Sequence, residues 1–361
     1  MTHSQRRDRL RARLRADQLD AMLVTDLFNV RYLAGFSGSN GALLVYADDD
    51  ARSRLATDGR YRTQAARQAP DLQVSIERAV GPHLVGLAAA DGVARLGFES
   101  HVVTVDGYDA LAKAAGDTEL VRASGSVEAL REVKDDGETA LLRLACEIAD
   151  AALTDLIRRG GLRPGRTERQ VGRELEALMY DHGADGVSFE TIVAAGPNSA
   201  IPHHRPTDSE LKAGDFVKLD FGAEVGGYHS DMTRTFVLGA AAQWQLDLYQ
   251  LVATAQRAGR EALAPGVSLS DIDAASRRII ADAGHGDHFG HGVGHGVGLQ
   301  IHEAPGINAK AVGTLLSGSA VTVEPGVYLP DRGGVRIEDT LVVGPKSPEL
   351  LTRFPKELAI L

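Results

Sequence analysis

Four carboxylates fall in two sequence pairs, Asp220 with Asp231 and Glu324 with Glu338, on either side of a run rich in glycine and histidine, Phe289 to Glu303. Val217, Leu219 and Phe221 alternate with Lys218 and Asp220, the period-two pattern of a strand with one apolar face. A turn centred between Val225 and Gly226 sets Asp220 opposite Asp231, and a turn about Asp331 sets Glu324 opposite Glu338. Like charges opposed across a sheet destabilise it, so each pair needs a cation, a shared proton or free exposure to water. Exposure is sufficient for either hairpin alone. Two matching acidic pairs with a histidine loop between them favour the cation. The loop supplies His291, His295 and His302; imidazole is the commonest nitrogen ligand, and the interleaved glycines let backbone approach an ion or a substrate. Four carboxylates and one imidazole form a hard set suited to Mn(II), Co(II) or a similar divalent ion, not to a cysteine-type zinc site. Two divalent ions neutralise four carboxylates, and a carboxylate-bridged pair sits roughly 3.5–4 Å apart in such centres. The glycines do not follow the strand, GxGxxG and helix order of a dinucleotide site, and no GxxxxGK[ST] loop is present.

These residues require a scaffold that repeats. Pro164-Gly165, a helix opened by Thr167 and Gln170 with capping-box spacing, and a stop at Gly183 recur 101 residues later as Pro265-Gly266, Ser270-Asp271 and a stop at Gly284 (164 to 265, 183 to 284). Longer helical segments precede both copies, Glu138 to Arg158 and Gln243 to Leu263, and a β-hairpin follows each, Asp215 to Leu238 and Ser319 to Val343. Upstream, short apolar runs at Ala21 to Val24, Ala42 to Tyr46 and Arg95 to Phe98 alternate with helical segments, the pattern of a small α/β domain. The chain turns strongly charged at Val127 to Gly137, so the expected division is residues 1–130 and 131–361.

Composition narrows the partners. Thirty-nine Lys and Arg against 49 Asp and Glu give a net charge of −10, which repels nucleic acid and anionic membranes. Met1 to Leu19 alternates Arg, Asp and Leu without an apolar core, and so reads as a charged amphipathic helix and not as a signal peptide. No stretch is long and apolar enough to span a bilayer. The single cysteine, Cys146, lies in an Ala/Leu-rich helical pattern. It reads as a small buried residue in a reducing compartment, for which the cytoplasm is the default.

Five motifs then carry a resemblance across nearly the whole chain: Lys218-Leu219-Asp220-Phe221-Gly222, Ser230-Asp231-Met232-Thr233-Arg234-Thr235, Gly294-His295-Gly296-Val297-Gly298-Leu299 through His302-Glu303, Val323-Glu324-Pro325-Gly326-Val327-Tyr328, and Val335-Arg336-Ile337-Glu338-Asp339. In this order they resemble the pita-bread metallopeptidases, specifically the branch of Xaa-Pro aminopeptidases and Xaa-Pro dipeptidases (prolidases). The resemblance implies a creatinase-like α/β N-terminal domain followed by a pita-bread domain, an α/β (α+β) architecture overall, in a subunit that forms a homodimer. It also implies that Asp220, Asp231, His295, Glu324 and Glu338 hold two metal ions, with Mn(II) first and Co(II), Zn(II) or Fe(II) as the others. By the same resemblance His203, after Pro202, is a substrate-site histidine in preference to His204. His291 and His302 flank the reacting carbonyl and the leaving nitrogen, and Arg336 supports the ligands from behind.

The activity so implied is hydrolysis of the bond before proline in small peptides, with Glu324 accepting the proton of the attacking water. One departure bears on substrate length. Some dipeptidases of this branch place an arginine just after the His-Glu turn to hold the dipeptide carboxylate, whereas here His302-Glu303 is followed by Ala304-Pro305-Gly306, leaving Arg205 and Arg332 as substitutes. Rival readings are a methionine aminopeptidase, which lacks a first domain of this kind, a creatinase-like hydrolase, which lacks the full acidic set, a peptidase of the same fold without proline preference, and a catalytically inactive binding protein.

Overall fold

The computed structural model describes residues 1–361 and separates into two compact units, Met1–Arg131 and Glu132–Leu361. The first contains α1 (His3–Ala16), β1 (Ala21–Val24), α2 (Leu27–Ala34), β2 (Gly41–Tyr46), β3 (Arg54–Thr57), α3 (Arg62–Gln68), β4 (Gln73–Ile76), α4 (Val80–Ala90), β5 (Arg95–Phe98), α5 (Val105–Ala115), β6 (Glu119–Arg122) and α6 (Glu128–Arg131). Its six strands lie in the order β4-β3-β2-β1-β5-β6. The β1/β2 and β2/β3 pairs run antiparallel, and β3/β4, β1/β5 and β5/β6 run parallel. Central strands of such a sheet are covered on both faces, which is why β1 and β2 are apolar and buried at every position. Leu23, Leu44, Leu84, Val85 and Phe98 form the core beneath helices α4 and α5.

Helix α1 opens with a reciprocal cap between Thr2 and Gln5. The charge pattern of this helix hides an inward face. Arg6 and Arg7 are buried, and Arg7 pairs with Asp50 at 2.9 Å and Asp71 at 2.6 Å.

The second unit contains α7 (Asp136–Arg158), α8 (Glu168–Asp181), β7 (Gly186–Val187), β8 (Ile192–Ala195), β9 (Phe216–Phe221), β10 (Ala223–Val225), β11 (Tyr228–His229), β12 (Met232–Val237), α9 (Gln243–Glu261), α10 (Leu269–Asp282), β13 (Gly294–Gly296), β14 (Glu303–Ile307), β15 (Ala320–Val323), β16 (Gly326–Leu329), β17 (Gly333–Arg336), β18 (Asp339–Val342) and β19 (Glu349–Leu350). The repeat is visible in detail. Helices α8 and α10 are both 14 residues long. Gly165 and Gly266 have φ of +83° and +84°, the conformation that a Pro-Gly type II turn requires at its third residue. Their amides donate to equivalent carbonyls, Leu211 at 2.9 Å and Leu315 at 2.8 Å.

The long helices earn their places by amphipathicity. In α7, Asp135 and Glu138 form a capping box, and Leu142, Ala145, Cys146, Ala149, Leu153 and Leu156 make one buried stripe at helical spacing. Two apolar clusters result, one per half. Leu153, Leu175, Val193, Val217 and Phe236 belong to the first, and Val252, Ile272, Val321, Val327 and Ile337 to the second. Helices α7 and α8 cover the apolar face of β9, while Lys218 and Asp220 on its other face meet the 199–202 segment and Arg336 of β17, so β9 and β12 are buried at all six positions each. A solvated polar face for Lys218 and Asp220 is thereby ruled out.

Candidate metal centre

The four carboxylates come together, though not by the pairing that the sequence suggested in the first hairpin. The turn there is Gly226-Gly227, with φ of +58° and +84°, a geometry that suits a two-residue hairpin. It lies one residue further on than expected, so Asp220 faces Thr233 and not Asp231. A shift of two partners preserves the parity of the strand, so Asp231 still projects from the same face. In the second hairpin the ladders β15/β18 and β16/β17 share one register, Val323 with Asp339 and Gly326 with Arg336. Glu324 and Glu338 sit opposite each other in the interval between them.

Strand β13 brings His295 against this acidic floor. Its Nδ1 lies 3.0 Å from the carbonyl of Gly296. A carbonyl only accepts, so the proton belongs on Nδ1 and the lone pair on Nε2. That Nε2 lies 3.5 Å from Asp231 Oδ2 and 3.4 Å from Glu324 Oε1. Ligand atoms of Asp231, His295 and Glu338 all fall within 4.8 Å of one another, and Asp220 and Glu324 line the same cavity, of about 670 Å³. The glycines beside these side chains are obligatory. A Cβ on Gly294 would lie 2.0 Å from the carbonyl oxygen of Thr322, and one on Gly222 would lie 1.8 Å from that of Ser230.

The acidic cluster is electrostatically incomplete. Burial, then the proximity of the other carboxylates, pushes Asp231 and Glu338 well above the ordinary carboxylate range. Glu324 is pushed up to about 8 by burial and Asp220, against the opposing pull of Arg336. Asp220 Oδ1 and Glu338 Oε1 are buried without any hydrogen-bond partner. Orphaned carboxylate oxygens of this kind are costly unless something positive faces them. With a neutral imidazole turned towards them, they are a donor set that fits hard divalent cations.

Arg336 is the cation the protein itself supplies. It is buried, contacts Asp220 through Nη2, and donates to Thr233 Oγ1 at 3.0 Å and to the Tyr328 hydroxyl at 2.8 Å. Thr233 in turn donates to Glu338 Oε2 at 2.7 Å. One guanidinium therefore orients carboxylates from both hairpins, Asp220 directly and Glu338 through Thr233.

The remaining histidines divide by what they touch. His204 is buried and bonds Glu168 at 2.8 Å. Glu168, fully buried, also accepts from Ala195 N, Asn198 and Thr207, so this imidazole belongs to the scaffold. The neighbouring His203 is exposed and lines the cavity. His302 is also exposed, with its ring 4.4 Å from that of His295 and nearly perpendicular to it. His291 is more constrained. Its Nδ1 faces the Gly292 carbonyl at 2.8 Å, leaving Nε2 to accept from the Tyr328 hydroxyl at 2.9 Å. Burial and nearby Arg336 pull its pKa down to about 4. It is a neutral ring with both nitrogens engaged.

Sequence reading passed over Lys218 and Tyr328. Lys218 is buried on β9 and donates to the carbonyls of Ser199, Ile201 and Pro202, which fixes the segment leading into His203. Its place two residues before Asp220 on one strand face was the available signal. Tyr328 links Arg336 to His291, a role visible only once two strands and a loop are assembled. Of the two arginines offered as carboxylate holders, Arg205 lines the cavity, whereas Arg332 stacks on Trp244 at 4.2 Å.

A creatinase-type α/β unit followed by a duplicated unit with paired acidic hairpins defines a pita-bread metallopeptidase. Residues 140–345 match metallopeptidase family M24 and residues 6–133 match the creatinase/prolidase N-terminal domain, so the chain belongs to that family. It is 40% identical to the uncharacterized peptidase YqhT of Bacillus subtilis (strain 168), over 95% of this chain and 96% of that one. Among solved structures it is similar to a Xaa-Pro dipeptidase from Bacillus anthracis, with a TM-score of 0.94, 39% identity and complete coverage of both chains. An X-Pro aminopeptidase from Thermotoga maritima MSB8 matches with a TM-score of 0.90 and 30% identity, over 98% of this chain and 99% of the other.

Proposed function

We propose that the protein is a Xaa-Pro peptidase that hydrolyses the bond between an N-terminal residue and proline in small peptides, using two divalent ions held by Asp220, Asp231, His295, Glu324 and Glu338. The observation that carries this reading is the set of orphaned, mutually repelling carboxylate oxygens at the floor of a cavity large enough for a short peptide. Support for the proline preference comes from relatives whose names specify Xaa-Pro substrates.

Divalent ions held by these five side chains would supply Lewis-acid polarisation of the scissile carbonyl and acidification of water at neutral pH. Glu324 would be the group that takes up a proton from the attacking water. His302, exposed in the cavity with no second partner holding its ring in place, stabilises the charge that develops on the carbonyl oxygen. His203 or His302 returns a proton to the leaving imide nitrogen. His291 holds Tyr328 and Arg336 in line and so keeps Asp220 oriented. Proline preference follows if the subsite beyond the scissile bond fits the pyrrolidine ring and offers no partner to an amide N–H, so that ordinary peptides leave a polar group unpaired.

The test is to strip the protein of metal, reload it with Mn(II), Co(II) or Zn(II), and compare Ala-Pro, Ala-Pro-Ala and an Ala-Ala control. Metal-dependent hydrolysis of the proline peptides, with the control resistant, is expected. Retention of metal with no hydrolysis of any peptide would overturn the proposal.

A further inference from the structure

A second cavity of the same unit, of about 560 Å³, runs along α9, with Tyr249, Gln256, Arg257, Arg260, Ile337 and Lys356 in its lining. It lies behind the acidic floor. Ile337 faces this cavity, and the next residue, Glu338, faces the acidic one. Between the α9 side and the strands, Asp339 is buried and fully satisfied. Its Oδ1 accepts from Arg234 Nη2 at 2.9 Å and from Thr352 Oγ1 at 3.0 Å; its Oδ2 accepts from Gln256 Nε2 at 2.9 Å and lies 3.1 Å from Lys356 Nζ. Three cations, Arg234, Arg260 and Lys356, thus converge on one carboxylate. Two positive charges are left without a counter-ion in this cluster.

Arg260 is the member that the carboxylate cannot serve. Its Nη1 comes no closer than 3.7 Å to Asp339 Oδ2, and its Nε is buried with no hydrogen-bond partner. A buried donor without an acceptor is costly. Burial also pulls the Lys356 ammonium below the ordinary lysine range, against the attraction of Asp339 and with Arg234 and Arg260 adding to the downward pull. Arg257 stands three residues before Arg260, on the same face of α9, and is exposed. The acids of the lining, Asp247 and Glu357, are exposed as well, where water and salt screen them.

We propose that this cavity is a binding site for a phosphoryl group, free or carried by a small metabolite, held by Arg260, Lys356 and Arg257. Such a group carries about −1.5 to −2 at pH 7, which matches the two uncompensated charges. Its oxygens accept from guanidinium N–H groups in pairs and from an ammonium as a point charge. The volume exceeds what inorganic phosphate fills, so the organic part of a phosphomonoester has room along α9. The site is independent of the Xaa-Pro reading, since none of the three cations lines the acidic cavity.

The experiment is calorimetric titration of the metal-loaded full-length protein, freed of excess metal, with inorganic phosphate and with glycerol 3-phosphate, using chloride at matched ionic strength as the control. Saturable binding of one phosphoryl group per chain is expected, with none for chloride. Tighter binding of glycerol 3-phosphate would identify a phosphorylated metabolite as the source, and equal affinities free phosphate. Arg260→Gln should weaken binding roughly ten- to a hundred-fold, the range for losing a charged hydrogen-bond partner, and Arg257→Gln should weaken it several-fold. In phosphate-free buffer Arg260→Gln should melt no lower than wild type, because it removes a charge that lacks a counter-ion. Absence of saturable binding to wild type would overturn the site. Affinity unchanged in Arg257→Gln and Arg260→Gln would also overturn it, by placing the anion at the metal centre, and a lowered melting temperature with that unchanged affinity would make Arg260 a structural residue. Arg257→Gln alters an exposed side chain and keeps the test decisive should Arg260→Gln fail to fold.

Discussion

Arg336 contacts one oxygen of Asp220 and leaves the other, Oδ1, buried with no hydrogen-bond partner. The relationship is informative because the guanidinium could have satisfied both oxygens in a bidentate pair. It is turned instead to reach Thr233 and Tyr328 as well, so the carboxylate is fixed in orientation and still has a lone pair to offer.

Removal of that lone pair is the first prediction. Asp220→Asn and Glu338→Gln keep the shape of the side chains but replace one ligand oxygen with a donor. Both variants should lose bound metal, measured by elemental analysis after dialysis, together with peptidase activity. Metal content equal to wild type in both would sink the ligand assignment.

The metal-free protein should become less stable as the pH rises. Glu324 is pushed up to about 8 from an ordinary 4.5, and Asp231 and Glu338 are raised as well. The folded state thus binds these protons more tightly than the unfolded state does. Stability falls wherever the folded state must surrender them, between about pH 5 and 8. The melting temperature of the metal-free protein should decline across this range and recover on addition of Mn(II). Binding at pH 7 should release protons, detectable as a buffer-dependent heat in calorimetry. A flat melting profile without metal would refute this account.

Adjacent histidines should behave in opposite ways. His204→Ala removes a partner from fully buried Glu168, so a loss of about 1–3 kcal/mol in stability is expected, with kcat nearly unchanged in the fraction that stays folded. His203→Ala should leave the melting temperature in place and lower kcat by about a hundred-fold, the lower end of what a general acid contributes. Denaturant titration and steady-state kinetics on the two variants separate these roles. Interchanged phenotypes would mean that the wrong histidine serves the substrate.

A buried ion pair supports the loop that carries His302. Lys134 bonds Glu303 at 2.6 Å, with the two side chains 1% and 5% exposed. Lys134→Met leaves the buried Glu303 carboxylate with the Gln300 N–H at 3.2 Å but without its cation, and should cost about 3–5 kcal/mol, seen as a lowered denaturant midpoint. A change below about 1 kcal/mol would show that water reaches Glu303 and the pair is not isolated.

The scaffold was largely legible in the residues. Capping chemistry at Thr167 and Gln170, the Pro-Gly turns and the 101-residue repeat are local signals, and each appears in the structure where the pattern put it. The apolar runs upstream became β1, β2 and β5 for the same reason. Register was harder to read. Val225-Gly226 and Gly226-Gly227 both look like tight turns, and only the positive φ of both glycines settles which one closes the hairpin. Burial was harder still. Alternation around Lys218 reads as a strand with one wet face, but the second hairpin and the 199–202 segment close over that face. Partnerships such as Tyr328 with His291, or Lys134 with Glu303, join residues 37 and 169 positions apart. No local pattern encodes them.

The cross-links between Asp220 and Arg336, and between Thr233 and Glu338, span 116 and 105 residues of chain. During synthesis Asp220 and Thr233 leave the ribosome well before the residues that orient them are made, and the emerging chain folds from its N-terminal end. The acidic strands of the first half must therefore wait, unpaired with their cation, until the second half arrives. A nascent chain or one terminated before the second half holds two of the five proposed ligands, Asp220 and Asp231, so on this reading peptide-cleaving capacity is acquired late, when the protein is nearly whole.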